Sequence, residues 1–182
     1  AEALWNNPAG LSAYNSDGFH LIAEYRDGDW FKRKGLLASR KRIGAAYRSL
    51  SQPFDSTVKE WIVGLGLAMG SSIDFGASYR WISKGPSMYD GQKQWTIGVL
   101  RRAGNYFSWG IVAGNLNRSR INGEHSETEL RYSIGYRPLG KTTLTLAADA
   151  LLSTKTRFKN AEFVYHAEYT PKAGLYVNGS ID

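Results

Sequence analysis

Acidic and basic side chains alternate with apolar ones along much of this chain, and they are the first candidates for chemistry. Between Ile73 and Trp81, an extended strand would place Asp74 and Arg80 on one face and an apolar row on the other. Carboxylates that face each other could act as a general acid and base in hydrolysis. Acids and bases on neighbouring strands could instead form cross-strand ion pairs, and we favour this second interpretation.

The other residue types that commonly catalyse reactions form no recognisable site. His20, His125 and His166 are far apart in sequence and match no metal-binding spacing. No serine lies in a nucleophile-elbow motif, and the chain has no cysteine. We therefore predict that the protein is not an enzyme, that no residue is catalytic, and that no cofactor or metal is bound.

Composition indicates a β-rich protein with many aromatic residues. The 182 residues include 20 Gly, 6 Trp and 11 Tyr, and no apolar run approaches the roughly 20 residues of a membrane-spanning helix. The net charge is +7, but the bases are scattered along the chain. We predict no nucleic-acid partner, because a single basic patch is not evident, and phosphorylated lipid headgroups are an equally suitable partner.

Alternation with a period of two residues is the main structural signal. It predicts about eleven strands, several of which are long enough to cross a bilayer at a tilt. No segment predicts an amphipathic helix. The predicted strands cover residues 19–26, 31–39, 42–51, 58–69, 72–83, 92–102, 105–117, 127–138, 141–153, 160–170 and 173–182.

The two faces of these strands differ in chemistry, and the sidedness can be interpreted in two ways. A soluble sheet would bury the apolar rows, whereas a membrane barrel would turn them to lipid and enclose a polar lumen. We favour the barrel. His166 could then be a proton-sensitive lumen group or, as we favour, a solvated lining residue. The predicted lumen-lining residues are Glu24, Arg26, Arg48, Glu60, Asp74, Arg80, Glu129, Arg131, Asp149, Glu162, His166 and Glu168.

Short and long connections alternate, which predicts that all short turns lie at one end of the strands, as in outer-membrane barrels. The short turns are centred at 40–41, 70–71, 103–104, 139–140 and 171–172. Trp61, Trp81 and Trp95 fall near the long-loop ends of their strands, whereas Trp109, Tyr136 and Tyr169 fall near the short-turn ends. We predict that these six are membrane-interface aromatics, although aromatic residues also simply favour strands.

Glycines recur on the predicted inward face. They could allow an interior segment to pack closely against the wall, or they could serve the curvature of the sheet, and the sequence does not decide between these. The glycines concerned are Gly44, Gly64, Gly66, Gly76, Gly98, Gly110, Gly114 and Gly135.

Several motifs resemble outer-membrane barrels of the long-chain fatty-acid transporter (FadL) superfamily, in particular its PorV-type branch. They are WNNPAGL at 5–11, WGIVAGNLN at 109–117, GYRPLG at 135–140 and LAADALL at 146–152. The resemblance implies an all-β, antiparallel, up-and-down transmembrane β-barrel of about fourteen strands, of which about eleven are present here. It also implies that residues 1–18 form an N-terminal plug or hatch and that residues 19–182 form barrel strands, incomplete at the C-terminus.

The same resemblance implies the plug turn and the function. Asn7, Pro8, Ala9 and Gly10 would form a tight turn in which Gly10 permits a positive φ. The protein would lie in the bacterial outer membrane as a conduit or binding protein for small, hydrophobic solutes. Alternatives are a PorV-like scaffold or shuttle in a secretion or surface-attachment assembly, a membrane anchor for a missing enzyme domain, and a soluble lipid-binding barrel.

Expected partners are outer-membrane lipid, lipopolysaccharide and proteins that bind the long loops. Five loop bases could contact lipopolysaccharide phosphates, or they could be ordinary solvated charges. These bases are Arg118, Arg120, Lys155, Arg157 and Lys159.

Overall fold

A single antiparallel sheet of eleven strands accounts for most of the chain. The computed structural model describes residues 3–14, 17–26, 29–51, 57–86, 91–121, 124–141, 143–155, 160–172 and 175–181. Each strand pairs with the strand before and after it in sequence, apart from a two-stranded hairpin, β8 and β9, inserted between β7 and β10. The predicted set of eleven strands and their antiparallel order are therefore confirmed.

The strand bounds lie within a few residues of the predicted ones. The hairpin strands are β8 (Arg120–Ile121) and β9 (Glu124–His125). The sheet strands are β1 (Gly18–Arg26), β2 (Asp29–Arg40), β3 (Ile43–Ser51), β4 (Thr57–Met69), β5 (Ile73–Lys84), β6 (Lys93–Ala103), β7 (Phe107–Gly114), β10 (Glu129–Tyr136), β11 (Leu144–Ser153), β12 (Glu162–Lys172) and β13 (Leu175–Ile181).

Two short helices precede the sheet, and the sequence did not predict them. They are α1 (Ala3–Asn6) and α2 (Gly10–Tyr14). Helices of 4 and 5 residues are too short to show a helical period, and they are not stable in isolation. Packing against the sheet holds them in place.

The face that carries the apolar rows is exposed in the described part of the chain. On β4, Leu67 is 55% exposed, and on β6 Ile97 is 50% exposed. Glu60 and Asp74, on the opposite face, are each only 3% exposed. A soluble sheet would show the reverse arrangement, because burial of apolar area is what stabilises a water-soluble core.

The predicted turns at 40–41, 70–71 and 103–104 lie together at one end of the sheet. The prediction that all short connections lie there is wrong, because β1 ends at Arg26 and β2 begins at Asp29 at the opposite end.

Two further predicted turns need correction. The β10–β11 connection is longer than the predicted turn and covers residues 137–143. Pro171 and Lys172 belong to β12, and the following connection (173–174) lies outside the described residues. Gly70 and Gly104 have φ angles of 72° and 65°, which explains why glycine occupies these tight turns.

The described strands form an open sheet rather than a closed barrel. Its two edges are β1 and β13, which do not pair with each other in the described residues. The closed barrel of about fourteen strands therefore remains a prediction. Within the described residues, no helix is long and apolar enough to cross a membrane.

Candidate functional site

The N-terminal segment, residues 3–13, lies against the polar face of the sheet and forms the candidate functional site. Leu4 and Leu11 are buried against Leu37, Ala46 and Ile62 of strands β2, β3 and β4. This small apolar cluster lies on the face that the sequence predicted to be lined by charges. The inward face is therefore mixed, with apolar residues where the segment packs.

Glycines of the sheet make room for the segment. A Cβ atom on Gly76 would lie 2.1 Å from the carbonyl carbon of Pro8, and one on Gly98 would lie 2.1 Å from Oδ1 of Asn7. No side chain fits at such distances, because the neighbouring atoms at Gly76 belong to backbone. The strand register aligns Gly66, Gly76 and Gly98 in one row across β4, β5 and β6.

Six of the eight inward glycines pack closely against the N-terminal segment, as one of the two interpretations predicted. They are Gly44, Gly64, Gly66, Gly76, Gly98 and Gly110. The remaining two do not approach it: a Cβ on Gly114 would meet Thr96 at 3.7 Å, and a Cβ on Gly135 would meet Ser108 at 2.8 Å.

The predicted turn at Asn7–Gly10 is present, but its glycine has a different role. The Gly10 amide donates to the Asn7 carbonyl at 2.9 Å, which closes the turn. Gly10 does not have a positive φ, so that expectation was wrong. It starts α2, and a Cβ there would approach the Ala3 Cβ to 2.9 Å, so glycine is required by packing between the two helices.

Asn7 connects the turn to the sheet. Its Oδ1 accepts a hydrogen bond from the Ala9 amide at 3.1 Å, and its Nδ2 donates to the Val99 carbonyl at 3.1 Å. Pro8 and Ala9 are fully buried. The four residues of the turn therefore contact the middle of the sheet rather than solvent.

A buried charge cluster holds the other end of the segment. Nε1 of Trp5 donates to Oε1 of Glu60 at 2.8 Å. Arg48 contacts both carboxylate oxygens of Glu60 at 3.0 Å, and Arg80 lies 3.6 Å from Oε2. The Arg48 guanidinium also lies 5.2 Å from the Trp5 ring centroid, within reach of a cation–π interaction.

Other predicted lumen-lining residues form pairs across neighbouring strands. Asp74 on β5 lies 3.6 Å from Arg102 on β6, and Asp149 on β11 lies 3.3 Å from Nε2 of His166 on β12. With the Glu60 cluster, these contacts match an ion-pair ladder. In each of these contacts, the carboxylate faces a basic side chain.

The remaining predicted lining residues are dispersed. Glu129 and Arg131 line a cavity described below, whereas Glu162 and Glu168 lie farther along the sheet on β12. The side chains of Glu24 and Arg26 lie outside the described part of the chain. No group of three metal-ligating side chains occurs among the residues that the structure describes.

A cavity of about 90 Å³ lies between the segment and the sheet. Trp5 and Asn6 border it on the segment side, and Arg80, Glu129 and Arg131 provide charged groups from the sheet. Its wall also includes apolar side chains, namely Ile62, Val112 and Leu151. The wall of the cavity therefore combines apolar surface with a few charged groups, but its volume is below the roughly 300–1,000 Å³ of typical small-molecule sites.

The six predicted interface aromatics form two groups, one toward each end of the strands. Trp61 is paired with Trp81, and their ring centroids are 6.3 Å apart. The Trp95 ring lies 4.8 Å from the Tyr79 ring in a tilted arrangement. Near the opposite ends of the strands, Tyr136 lies 4.8 Å from Phe107, Trp109 pairs with Ile134, and Tyr169 pairs with Leu144. Five of the six are exposed, and Trp81 is half-buried.

The sequence missed the role of Asn115 in ordering the long connection 115–128. Asn115 is buried, and its Nδ2 donates to the Glu127 carbonyl at 2.7 Å while its Oδ1 accepts from the Ser119 amide at 3.2 Å. Oδ1 of Asn117 accepts a hydrogen bond from the Trp95 amide of strand β6, at 3.0 Å. The sequence feature that could have indicated this role is the pair of asparagines, Asn115 and Asn117, inside the motif at 109–117.

Of the predicted loop bases, Arg118, Arg120 and Lys155 are exposed at this end of the sheet, while Arg157 and Lys159 lie outside the described residues. Lys155 pairs with Glu127 at 3.2 Å. A hydrogen bond from Ser153, together with Lys155, lowers the pKa of Glu127 below its ordinary value. At least one of these bases is therefore engaged within the protein.

Comparisons with known proteins give one weak structural likeness. No family model matches the chain, and no curated protein matches it, so membership of the FadL superfamily stays a prediction. Among solved structures, a mutant of the Rh. blastica porin is similar, with a TM-score of 0.48 and 11% identity. The alignment covers 87% of this chain and 55% of the porin, so the chain spans about half the length of that porin.

Proposed function

We propose that this chain is an outer-membrane β-barrel protein that conducts or binds a small, mainly hydrophobic solute. One observation carries the proposal: apolar side chains such as Leu67 and Ile97 are exposed, while Glu60 and Asp74 are buried on the opposite face. Lipid is the solvent in which such a sheet satisfies both faces, because the acyl chains cover the apolar rows and the barrel encloses the polar ones.

Closure of the barrel is part of this proposal. An unpaired strand edge in lipid leaves backbone groups without hydrogen bonds, at a cost of several kcal/mol for each group. The edges of the sheet, β1 and β13, would therefore pair with strands beyond the eleven described here. The barrel of about fourteen strands implied by the FadL resemblance would satisfy this requirement.

The N-terminal segment would act as the plug of this barrel. It fits the glycine row closely, and it is anchored at Trp5 to Glu60 and at Asn7 to Val99. The cavity beside Trp5 would be the solute site, with Ile62 and Val112 against the apolar part of the solute. Arg80 and Glu129 would orient its polar end.

Solute flux tests this function. We would reconstitute the full chain in liposomes and compare Trp5→Ala with Trp95→Ala, a matched loss of an exposed tryptophan. Uptake of a hydrophobic fluorescent solute is expected with the unmodified chain, and Trp5→Ala should add leakage of a small sugar. Trp95→Ala should not. Membrane insertion without any uptake would reject the conduit.

A scaffold resembling PorV is the second candidate, and the ordered connection 115–128 favours it. Asn115 and Asn117 make hydrogen bonds that hold this connection, and the exposed Leu116 between them would contact the partner protein. We propose that Arg118 and Arg120 also contact lipopolysaccharide phosphates. Binding of a purified secreted partner that is lost on Leu116→Ser, without solute uptake, would support the scaffold over the conduit.

A further inference from the structure

Three short connections meet at one end of the sheet and enclose a groove of about 560 Å³. They are residues 70–72, 104–106 and 137–143, which join strands that are neighbours or near neighbours in the sheet. We call this the short-turn groove. Its polar lining residues are Ser71, Ser72, Arg102, Asn105, Arg137 and Lys141.

The groove has an excess of positive charge. Of its cations, Arg102 lies 3.6 Å from the buried Asp74, so the charge of Arg102 is already balanced. Arg137 and Lys141 have no ion-pair partner among the residues that the structure describes. Among the described residues, these two cations therefore line the groove without a neutralising group.

The Arg137 side chain also has a donor atom that the described residues leave unpaired. Its Nε atom is buried and has no hydrogen-bond partner in the described part of the chain. A buried donor without an acceptor costs about 1–3 kcal/mol, and most buried donors in proteins are paired with a protein group or an ordered water molecule. Arg137, which lines the groove, therefore has a donor for which the described residues supply no acceptor.

We propose that the short-turn groove binds a phosphate group and that the phosphate belongs to a phospholipid headgroup. Guanidinium and ammonium groups with serine hydroxyls provide the donors that phosphate oxygens accept. Apolar side chains flank the groove at the same end: Tyr106 is 53% exposed and Leu139 is 60% exposed. This combination suits a headgroup with its attached acyl chains better than it suits free phosphate.

The proposal that the phosphate belongs to a lipid rests on the proposed membrane location. The following test separates failure of the binding site from failure of that location. The full chain in an uncharged detergent is titrated calorimetrically with dihexanoylphosphatidylglycerol, with inorganic phosphate and with dihexanoylglycerol, which has no phosphate. The double variant Arg137→Gln with Lys141→Gln is compared with Arg40→Gln with Arg42→Gln. Both pairs remove two charges at the same end, and Arg40 and Arg42 are exposed outside the groove.

We expect the phospholipid to bind and its affinity to fall about tenfold or more in the groove variant, but by less than about twofold in the control pair. Equal losses in the two pairs, no binding, or equal binding of dihexanoylglycerol would overturn the site. Inorganic phosphate that binds as tightly as the phospholipid would overturn the lipid source. If the chain stays soluble and monomeric without detergent, the membrane proposal fails, and the same titration still tests the groove.

Discussion

Trp5 and Glu60 are joined by a hydrogen bond of 2.8 Å, although 55 residues separate them in sequence. The bond links the N-terminal segment to strand β4 at a carboxylate that two arginines also contact. A buried carboxylate needs such partners, because removal from water is costly unless its charge is compensated. The carboxylate that pairs with Arg48 and Arg80 thus also holds the segment on the sheet.

We expect Trp5→Phe and Glu60→Gln to destabilise the protein through a shared interaction. Trp5→Phe removes the indole donor and should cost about 1.5–3 kcal/mol. Glu60→Gln removes the charge opposite two arginines and should cost about 3 kcal/mol. Urea unfolding of both single variants and the double variant should give a coupling of about 1–2 kcal/mol. Glu162→Gln, an exposed acid on β12, is the control and should change stability by less than about 0.5 kcal/mol. Strict additivity would show that the hydrogen bond does not form.

Gly76→Ala should displace the N-terminal segment, because the new methyl group would overlap the backbone of Pro8 and Ala9. The cost should be about 1–3 kcal/mol. Because the chain has no cysteine, Ser12→Cys gives a single buried thiol within the segment, where it faces the sheet at Gly66. We expect its maleimide labelling to be about tenfold faster in the Gly76→Ala background, as an opening easier by about 1.4 kcal/mol requires.

The control for this experiment is Gly114→Ala, where the nearest atom would lie at 3.7 Å. Its labelling rate should match that of the unmodified background. Equal acceleration by both substitutions would show that glycine is required by strand geometry in general and not by packing against the N-terminal segment.

Tryptophans on the exposed face should contact lipid, whereas Trp5 should not. We would prepare variants that each keep one tryptophan, with the others replaced by Phe, in vesicles that contain brominated acyl chains. Bromine quenches indole fluorescence on contact, so Trp61, Trp95 and Trp109 should be quenched strongly, since all three are exposed. Trp5 lies on the opposite face beside Glu60 and should retain most of its emission. Strong quenching of Trp5 with weak quenching of the other three would reverse the assigned sidedness.

Asn115→Ala should disorder the connection 115–128. Asn115 has a φ of 54°, a left-handed conformation that asparagine adopts more readily than alanine. Its side chain also makes several hydrogen bonds within the loop. The combined loss should be about 2–3 kcal/mol. Mass spectrometry should detect faster tryptic cleavage after Arg118 and Arg120 in vesicle-bound protein. Asn105→Ala, at an exposed turn residue, is the control, and similar cleavage rates in the two variants would contradict the proposed role.

The strands, and the side chains that share each face, could be predicted from the sequence, since alternation with a period of two follows directly from backbone geometry. Trp61, Val63 and Leu65 point to one face wherever the strand lies, and Glu60 points to the other. Antiparallel neighbours followed from the short connections. These are local properties, and the predicted eleven strands therefore match the observed ones closely.

The contacts of the N-terminal segment were decided only by the tertiary structure. Asn7 reaches the Val99 carbonyl across 92 residues, and the segment packs on glycines from several different strands. A glycine in the sequence is equally consistent with curvature or with close packing, because only the position of the opposing backbone distinguishes them. Likewise, the sequence provided Arg137 and Lys141, but the folding of three separate turns to one end of the sheet placed them in one groove.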